Sequence, residues 1–298
     1  MPELPEVESL RISLIPFLIN QKVLKVIVKR GKLVSGKGTK RSEDINKVNQ
    51  FVNEITGEVI ESIERRAKNL LLKFKSGKIL LVHLKMTGQL VFRSDKSETV
   101  FGGHPIEASE NILPNKHTYI IFELTDGTLY YNDVRMFGYV LYYSNYEEIL
   151  RDGHFVGLGV EPLSEEFTLQ FFVQKMSKKS GILKKVLMDQ SVVVGLGNIY
   201  CDEVCYAAGV RPDRAINSLH ESELAKLFDA IKDILLRAVN AGGSSVANYL
   251  MADGKRGNFA HQHKVYLKGG KSCYVCGEIL QKCVLNSRTT VYCINCQK

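Results

Sequence analysis

Within Glu3 to Leu18, apolar residues at Leu4, Val7, Leu10 and Leu14 recur at helical spacing and predict an opening amphipathic helix, whose continuation the ring and missing amide of Pro16 disfavour. From Lys22 the period changes. Short β-branched and aromatic runs at 23–28, 59–63, 70–74, 79–84, 90–92, 119–124, 128–131 and 139–142 are punctuated by turn pairs such as Ser76-Gly77 and Asp126-Gly127, as expected of an antiparallel sandwich or barrel. Segments 36–41 and 94–114 read as exposed loops. Gly157-Leu158-Gly159-Val160-Glu161-Pro162 marks a domain boundary, and beyond it the period is helical. Residues 183–188 and 199–208 predict two short helices joined through Gly195-Leu196-Gly197-Asn198, a tight turn into a helix N-terminus whose amides can hold a phosphate. Ser218 and Glu221 read as a capping box for a longer helix with Leu224, Leu227, Phe228, Ile231, Ile234, Leu235 and Ala238 on one face, stopped by Gly242-Gly243. A polar, Gly-rich stretch at 248–263 leads to the C-terminal segment.

Composition narrows the class. A chain of 298 residues with 45% hydrophobic and 24% charged positions is globular and large enough for two or three units. No apolar run approaches the ~18 residues of a membrane span, and the first residues lack both the basic start and the apolar stretch of a secretory signal, so an intracellular protein off the membrane is expected. Forty Lys and Arg against 32 Asp and Glu leave +8, which suits an anionic partner. Lys178, Lys179 and Lys184 stand in an acid-free run from Lys175 to Lys185, and a second basic run begins at Lys264; each is either a solvated face or a local electropositive surface.

The cysteines are more specific. Cys273-x2-Cys276 and Cys293-x2-Cys296 lie sixteen residues apart, the spacing of two knuckles holding one tetrahedral zinc ion, in a segment too small to fold on its own core. Two disulfides are the alternative, disfavoured in a reducing compartment. Cys283, with no CxxC partner, reads as a non-ligand.

Pro2 is a small second residue, from which an initiator Met is normally removed. The exposed secondary amine would titrate near ~7.7–8.0, against ~10.4 for lysine, and so offers a nucleophile for a sugar C1′ or a carbonyl without deep burial. Glu3 beside it can pass protons to a sugar oxygen. The same pair also makes an ordinary helix start.

Met1-Pro2-Glu3-Leu4-Pro5-Glu6-Val7-Glu8 resembles the start of the bacterial formamidopyrimidine-DNA glycosylases, and the likeness continues through Arg65-Arg66-Ala67-Lys68-Asn69-Leu70, His83-Leu84-Lys85-Met86-Thr87-Gly88, Asp133-Val134-Arg135-Met136-Phe137-Gly138, Gly195-Leu196-Gly197-Asn198-Ile199-Tyr200, Arg211-Pro212-Asp213-Arg214 and the four cysteines. The resemblance implies an α+β protein: an N-terminal catalytic antiparallel β-sandwich domain with its opening helix (1–145), a linker (146–162), a helix-two-turn-helix domain carrying a lesion-capping loop (163–263), and a four-cysteine zinc finger (264–298). It implies a bifunctional enzyme that excises oxidised purines such as 8-oxoguanine from double-stranded DNA and cuts the strand at the abasic site, as a bacterial cytoplasmic, nucleoid-associated monomer with one structural Zn2+. Pro2 is then the nucleophile, Glu3 the proton donor that opens the deoxyribose, Lys68 a strand lysine that donates a proton during β-elimination, and Arg288 the arginine of δ-elimination. His117, Arg135, Lys179 and Asn198 become DNA contacts. Met86, Arg135 and Phe137 become the wedge that fills the stack when the damaged nucleotide is flipped out. Cys273, Cys276, Cys293 and Cys296 become the zinc ligands.

Met136, Asn69 and Gly181-Ile182-Leu183-Lys184 depart from the family pattern, and 94–114 is longer than typical. An endonuclease VIII-like enzyme acting on oxidised pyrimidines is the nearest alternative, against which Leu4 stands, since that branch usually carries Gly there. A non-catalytic zinc protein that binds damaged DNA would explain the charge and the cysteines but leaves Pro2, Glu3 and Lys68 without a purpose.

Overall fold

A computed structural model of the protein describes residues 1–38, 41–95, 99–103, 112–244 and 258–298, the strand at 99–103 by its backbone alone. The lesion-capping loop expected within 248–263 falls mostly outside the described residues, as do parts of the expected loops at 36–41 and 94–114. The chain divides into two compact units, one holding Met1–Pro2 and Glu6–Val156, the other Glu3–Pro5, Gly157–Ser244 and Asn258–Lys298.

The first unit opens with helix α1 (Leu4–Leu18). Pro16, expected to disfavour continuation, lies inside it. The residue sits in the last turn on the exposed face, where water can reach the Ile12 carbonyl that loses its partner, so the helix continues without a buried unsatisfied group. Strand β1 (Val23–Val28) follows, then helix α2 (Ile45–Ile55), in a stretch whose helical period the β-rich reading passes over. Asp44 caps α2 by accepting from the Asn46 and Lys47 amides, and Phe51 and Ile55, four residues apart, are its buried stripe.

Next come β2 (Ile60–Arg66), β3 (Asn69–Phe74), β4 (Ile79–His83), β5 (Gly88–Ser94), β6 (Thr99–Gly103), β7 (Thr118–Leu124), β8 (Gly127–Asp133), β9 (Tyr139–Tyr143) and helix α3 (Tyr146–Arg151). The strands form two antiparallel sheets, ordered β1-β7-β8-β5-β6 and β2-β3-β4-β9. The predicted sandwich is therefore present, with β6 added inside the segment expected to be loop. Between the sheets lies one core: Leu70, Leu72, Phe74, Leu80 and Val82 from the smaller sheet meet Leu90, Phe92, Ile120, Phe122 and Tyr131 from the larger, closed by Val7, Leu10, Leu14 and Leu18 of α1. Leu71, Ile79, Leu81, Tyr139, Leu141 and Tyr143 point the other way into a second cluster completed by Ile149 of α3. Burial on both faces explains why β3 reads as an unbroken apolar run instead of an alternation.

The second unit is helical: α4 (Leu169–Ser177), α5 (Leu183–Leu187), α6 (Asn198–Ala207), α7 (Glu221–Asn240) and α8 (Phe259–Gln262) precede a hairpin of β10 (Gln281–Leu285) and β11 (Arg288–Tyr292). The α7 cap lies two residues beyond the predicted box: the His220 amide donates to Glu223, while the Ser218 hydroxyl turns back to the Ala215 carbonyl. Tyr200, Cys201, Val204 and Cys205 of α6 pack against Leu227, Ile231 and Leu235 of α7. Helix α6 also buries two charges. Glu203 accepts from the consecutive amides of Lys264, Val265 and Tyr266, fixing the chain where it enters the C-terminal segment. Asp202 pairs with Lys184 at 2.6 Å, and Lys184 also donates to the Thr290 hydroxyl on β11 at 2.8 Å. Lys184 is 1% exposed, so it is no part of the electropositive surface that the 175–185 run predicts.

Two outcomes follow for stability. Leu14→Ala should cost about 2–5 kcal/mol in urea unfolding of the first unit, whereas Ile12→Ala, on the exposed face of the same helix, should change it by less than about 0.5 kcal/mol. Burial, with Lys268 nearby, holds His263 at about 4, below its ordinary 6.5. Its stabilisation is thus complete above about pH 6.5 and is lost as pH falls through about 4. Proton uptake on unfolding in that window should fall by up to about one proton in His263→Gln; an unchanged uptake would contradict the assignment.

Candidate functional site

In the first unit, Lys68 is not on a strand. It occupies the two-residue turn between β2 and β3, where Arg66 pairs with Asn69 and Ala67 takes a left-handed backbone (φ 53°), as tight hairpins require at a central position. Lys68 itself is 7% exposed. The turn is braced from α1: the Glu8 carboxylate accepts from Arg65 at 2.8 Å and from Arg11, and the Arg65 guanidinium also donates to the Ala67 carbonyl at 2.9 Å. Pro2 belongs to the same unit and is partly exposed.

Met86 stands in the loop joining β4 to β5, which Gly88 closes by donating its amide to the Leu84 carbonyl. There the Lys85 amide donates to His83 Nδ1, and burial, reinforced by Lys85 and Lys68, holds His83 well below its usual value, so the ring is a neutral acceptor. His117 gives its carbonyl to the Asp133 amide. Arg135 and Phe137 lie in the connection between β8 and β9, the guanidinium carbon 4.4 Å from the centre of the ring. The first unit therefore gathers Lys68, Met86, His117, Arg135 and Phe137 on the turns and strand ends of its sheets.

In the second unit, Glu3 is 2% exposed and its carboxylate accepts from the amides of Ile199 at 2.9 Å and Tyr200 at 3.4 Å. The amides expected to hold a phosphate are thus taken by the chain's own third residue, with the helix dipole behind them. A side chain at Gly197 would place its first carbon 2.5 Å from the Glu3 carboxyl, which is why the turn into α6 carries glycine there. The Leu4 amide donates to the Gly195 carbonyl, completing the anchorage.

Asn198, the first residue of α6, donates to the Thr289 carbonyl at 3.1 Å and so joins the helix start to the hairpin. Asn286 and Ser287, both left-handed, form that hairpin's turn and leave Arg288 exposed as the first residue of β11. Lys179 is held by Asp189 at 2.7 Å and by the Ser191 hydroxyl at 2.8 Å. Residues that sequence reasoning passed over are Asp202, Glu203 and the buried role of Lys184; the available signal was charge at consecutive positions of a helix apolar on its remaining faces.

The four predicted cysteines converge, their sulfurs all within 4.8 Å of one another. Cys273 and Cys296 are 3.8 Å apart and Cys276 and Cys293 3.5 Å. Those are not disulfide distances, and they fit the edges of about 3.8 Å that sulfurs at ~2.3 Å from a tetrahedral ion define. Cys283 lies outside the cluster. The Tyr206 hydroxyl stands 3.2 Å from Cys273 Sγ.

The chain matches the formamidopyrimidine-DNA glycosylase N-terminal domain over residues 1–140 and the formamidopyrimidine-DNA glycosylase H2TH domain over 158–249. It is 38% identical to the formamidopyrimidine-DNA glycosylase of Listeria monocytogenes and 34% identical to that of Desulfitobacterium hafniense, each over the whole of both chains. Among solved structures, it is similar to a Lactococcus lactis Fpg mutant in complex with Fapy-dG containing DNA (TM-score 0.85, 31% identity, all of both chains covered). It is also similar to Lactococcus lactis Fpg bound to abasic site containing DNA (TM-score 0.84, 31% identity, 99% of each chain). Two family domains in order and full-length relatives above 30% identity lead to one conclusion: this chain belongs to the formamidopyrimidine-DNA glycosylase family.

Proposed function

We propose that this protein excises oxidised purines, 8-oxoguanine and formamidopyrimidines, from duplex DNA and then cleaves the strand through an iminium intermediate on Pro2. The observation that carries the reading is the pinned Glu3: its side chain is fixed by two backbone amides while the imino nitrogen, freed once Met1 is removed, is one residue away. Relatives bound to Fapy-dG and abasic DNA support the choice of substrate.

The Pro2 nitrogen adds to C1′ as the bond to the damaged base breaks. The C1′–O4′ bond then opens, with Glu3 delivering a proton to the ring oxygen, and the nitrogen lone pair forms the iminium. Loss of a 2′ proton expels the 3′ phosphate and a second elimination expels the 5′ phosphate; water finally releases the sugar fragment and the free amine. Lys68, on its braced turn, serves proton transfer in the first elimination, and Arg288 supports the second by holding phosphate. His117, Arg135, Lys179 and Asn198 contact the DNA, with Lys179 exchanging Asp189 for a phosphate. Met86, Arg135 and Phe137 fill the gap left by the flipped nucleotide, the guanidinium facing the orphaned cytosine. Cys273, Cys276, Cys293 and Cys296 would hold one zinc ion, which would tie the two knuckles together and supply structure rather than chemistry.

The domain reading is a catalytic domain at 1–145, a linker at 146–162, a helix-two-turn-helix domain with the lesion-capping loop at 163–263 and the zinc finger at 264–298. No helix of the described residues is long and apolar enough to cross a membrane. Action on chromosomal DNA is what supports a bacterial cytoplasmic location. Lactococcus lactis Fpg has also been seen with oxidised pyrimidine containing DNA, which keeps the pyrimidine substrates of the endonuclease VIII-like reading in the assay.

Borohydride added during reaction with an 8-oxoguanine:cytosine duplex should link protein to DNA through Pro2, and Pro2→Gly should remove most of the adduct. An undiminished adduct, or excision of thymine glycol faster than 8-oxoguanine, would reject the reading. Chelation or Cys293→Ser should release one zinc and abolish duplex binding while the β-sandwich keeps its circular dichroism; tight binding by the metal-free protein would exclude a structural zinc.

A further inference from the structure

The three side chains proposed to enter the duplex stand on two separate connections of the first unit, Met86 between β4 and β5, Arg135 and Phe137 between β8 and β9. A rigid wedge needs both connections to hold one geometry. The buried carboxylate of Asp133, 0% exposed, lies between them. One of its oxygens accepts from the Thr87 hydroxyl, next in chain to Met86, and from the Arg135 amide at 3.2 Å; the other accepts from the Gly138 amide at 2.7 Å. The Arg135 amide also donates to the Thr87 hydroxyl oxygen at 2.9 Å. The Asp133 carbonyl accepts from Met136, which takes the left-handed region at φ 52°, and Arg41 donates to the Met136 and Gly138 carbonyls. Even the room at Gly138 is prescribed, since a first side-chain carbon there would lie 2.0 Å from the Tyr131 hydroxyl and 2.7 Å from the His83 carbonyl.

We infer that Asp133 and Thr87 are positioning residues that lock Met86, Arg135 and Phe137 into one unit and thereby set the discrimination for cytosine opposite the lesion. The Thr87 hydroxyl bonds both the shared carboxylate and the Arg135 amide, so it carries the mutual position of the two loops. Arg135 is exposed and its guanidinium rests on Phe137; without a fixed backbone, neither would reach the same base edge twice. The inference rests on the glycosylase reading above, and the experiment separates the two.

Thr87→Val removes the hydroxyl at nearly constant volume, Thr87→Ser keeps it, and Asp133→Asn replaces one acceptor oxygen with a donor. Single-turnover excision of 8-oxoguanine opposite cytosine and opposite adenine is compared with cleavage of a single-stranded abasic oligonucleotide, which needs the amine but no wedge. Thr87→Val should reduce the cytosine-over-adenine preference about tenfold, Thr87→Ser should restore it, and single-strand cleavage should stay at the wild-type rate. 2-Aminopurine opposite the lesion should brighten in Thr87→Val and Asp133→Asn complexes as stacking is lost. Retained preference in Thr87→Val, or single-strand cleavage falling in parallel with it, overturns the proposal. Failure of the wild-type protein to excise 8-oxoguanine while still cleaving abasic DNA would instead count against the function proposed above.

Discussion

Two backbone amides at the start of α6 hold the carboxylate of Glu3, and the placement of the residues that open the chain depends on that contact. A chain terminus is ordinarily the least ordered part of a domain. Here the third residue is buried and bonded to the positive end of a ten-residue helix, so the freedom of the residue before it is reduced at the source. The contact also dictates sequence far away. Gly197 has no side chain because the Glu3 carboxyl occupies the space, and Gly195 gives its carbonyl to the Leu4 amide.

The C-terminal hairpin is tied to its helical support by a different kind of force. Burying Lys184 and Asp202 carries a desolvation penalty, visible in Asp202, which burial pushes up to about 6 against the pull of Lys184. The penalty is offset by geometry: Lys184 satisfies Asp202 and Thr290 together, and the second Asp202 oxygen accepts the Val291 amide. Such a pair adds little net stability over an apolar replacement, yet removing one partner leaves a buried charge at a cost of about 3–5 kcal/mol. Its value is therefore register. It holds β11, which begins with Arg288, against α6, which begins with Asn198. Glu203 does the same for the chain entering the finger by collecting three successive amides.

The first unit repeats the principle with Glu8 and Asp133. Each is an acid placed where loops meet regular structure, and each spends its oxygens on groups that define a turn: Arg65 and Arg11 around the Lys68 hairpin, Thr87, Arg135 and Gly138 around the proposed wedge. Loops that carry chemistry are usually mobile. In this protein the buried carboxylate of Asp133 and the half-buried one of Glu8 give these turns a defined backbone geometry, including left-handed conformations at Ala67 and Met136 that neither residue type favours by itself.

Local chemistry sufficed for a good part of this picture. The period of Leu4, Val7, Leu10 and Leu14, the alternating β-rich runs, the long amphipathic α7 and the paired CxxC spacing each follow from interactions within a few residues or from a fixed ligand geometry, so each is legible in order along the chain. Helix α2 could have been read from Asp44 and the Phe51–Ile55 spacing but was masked by its β-rich surroundings. What no window of sequence contains is which groups meet. The α6 amides look like a phosphate site until Glu3 arrives from about two hundred residues away, and Lys184 looks like surface charge until Asp202 and Thr290 enclose it. Pro16 looks like a helix end until the tertiary structure turns its face to water. Those outcomes were settled by long-range packing, because the energy of a buried charge or an orphaned carbonyl depends on partners that only the assembled fold brings within reach.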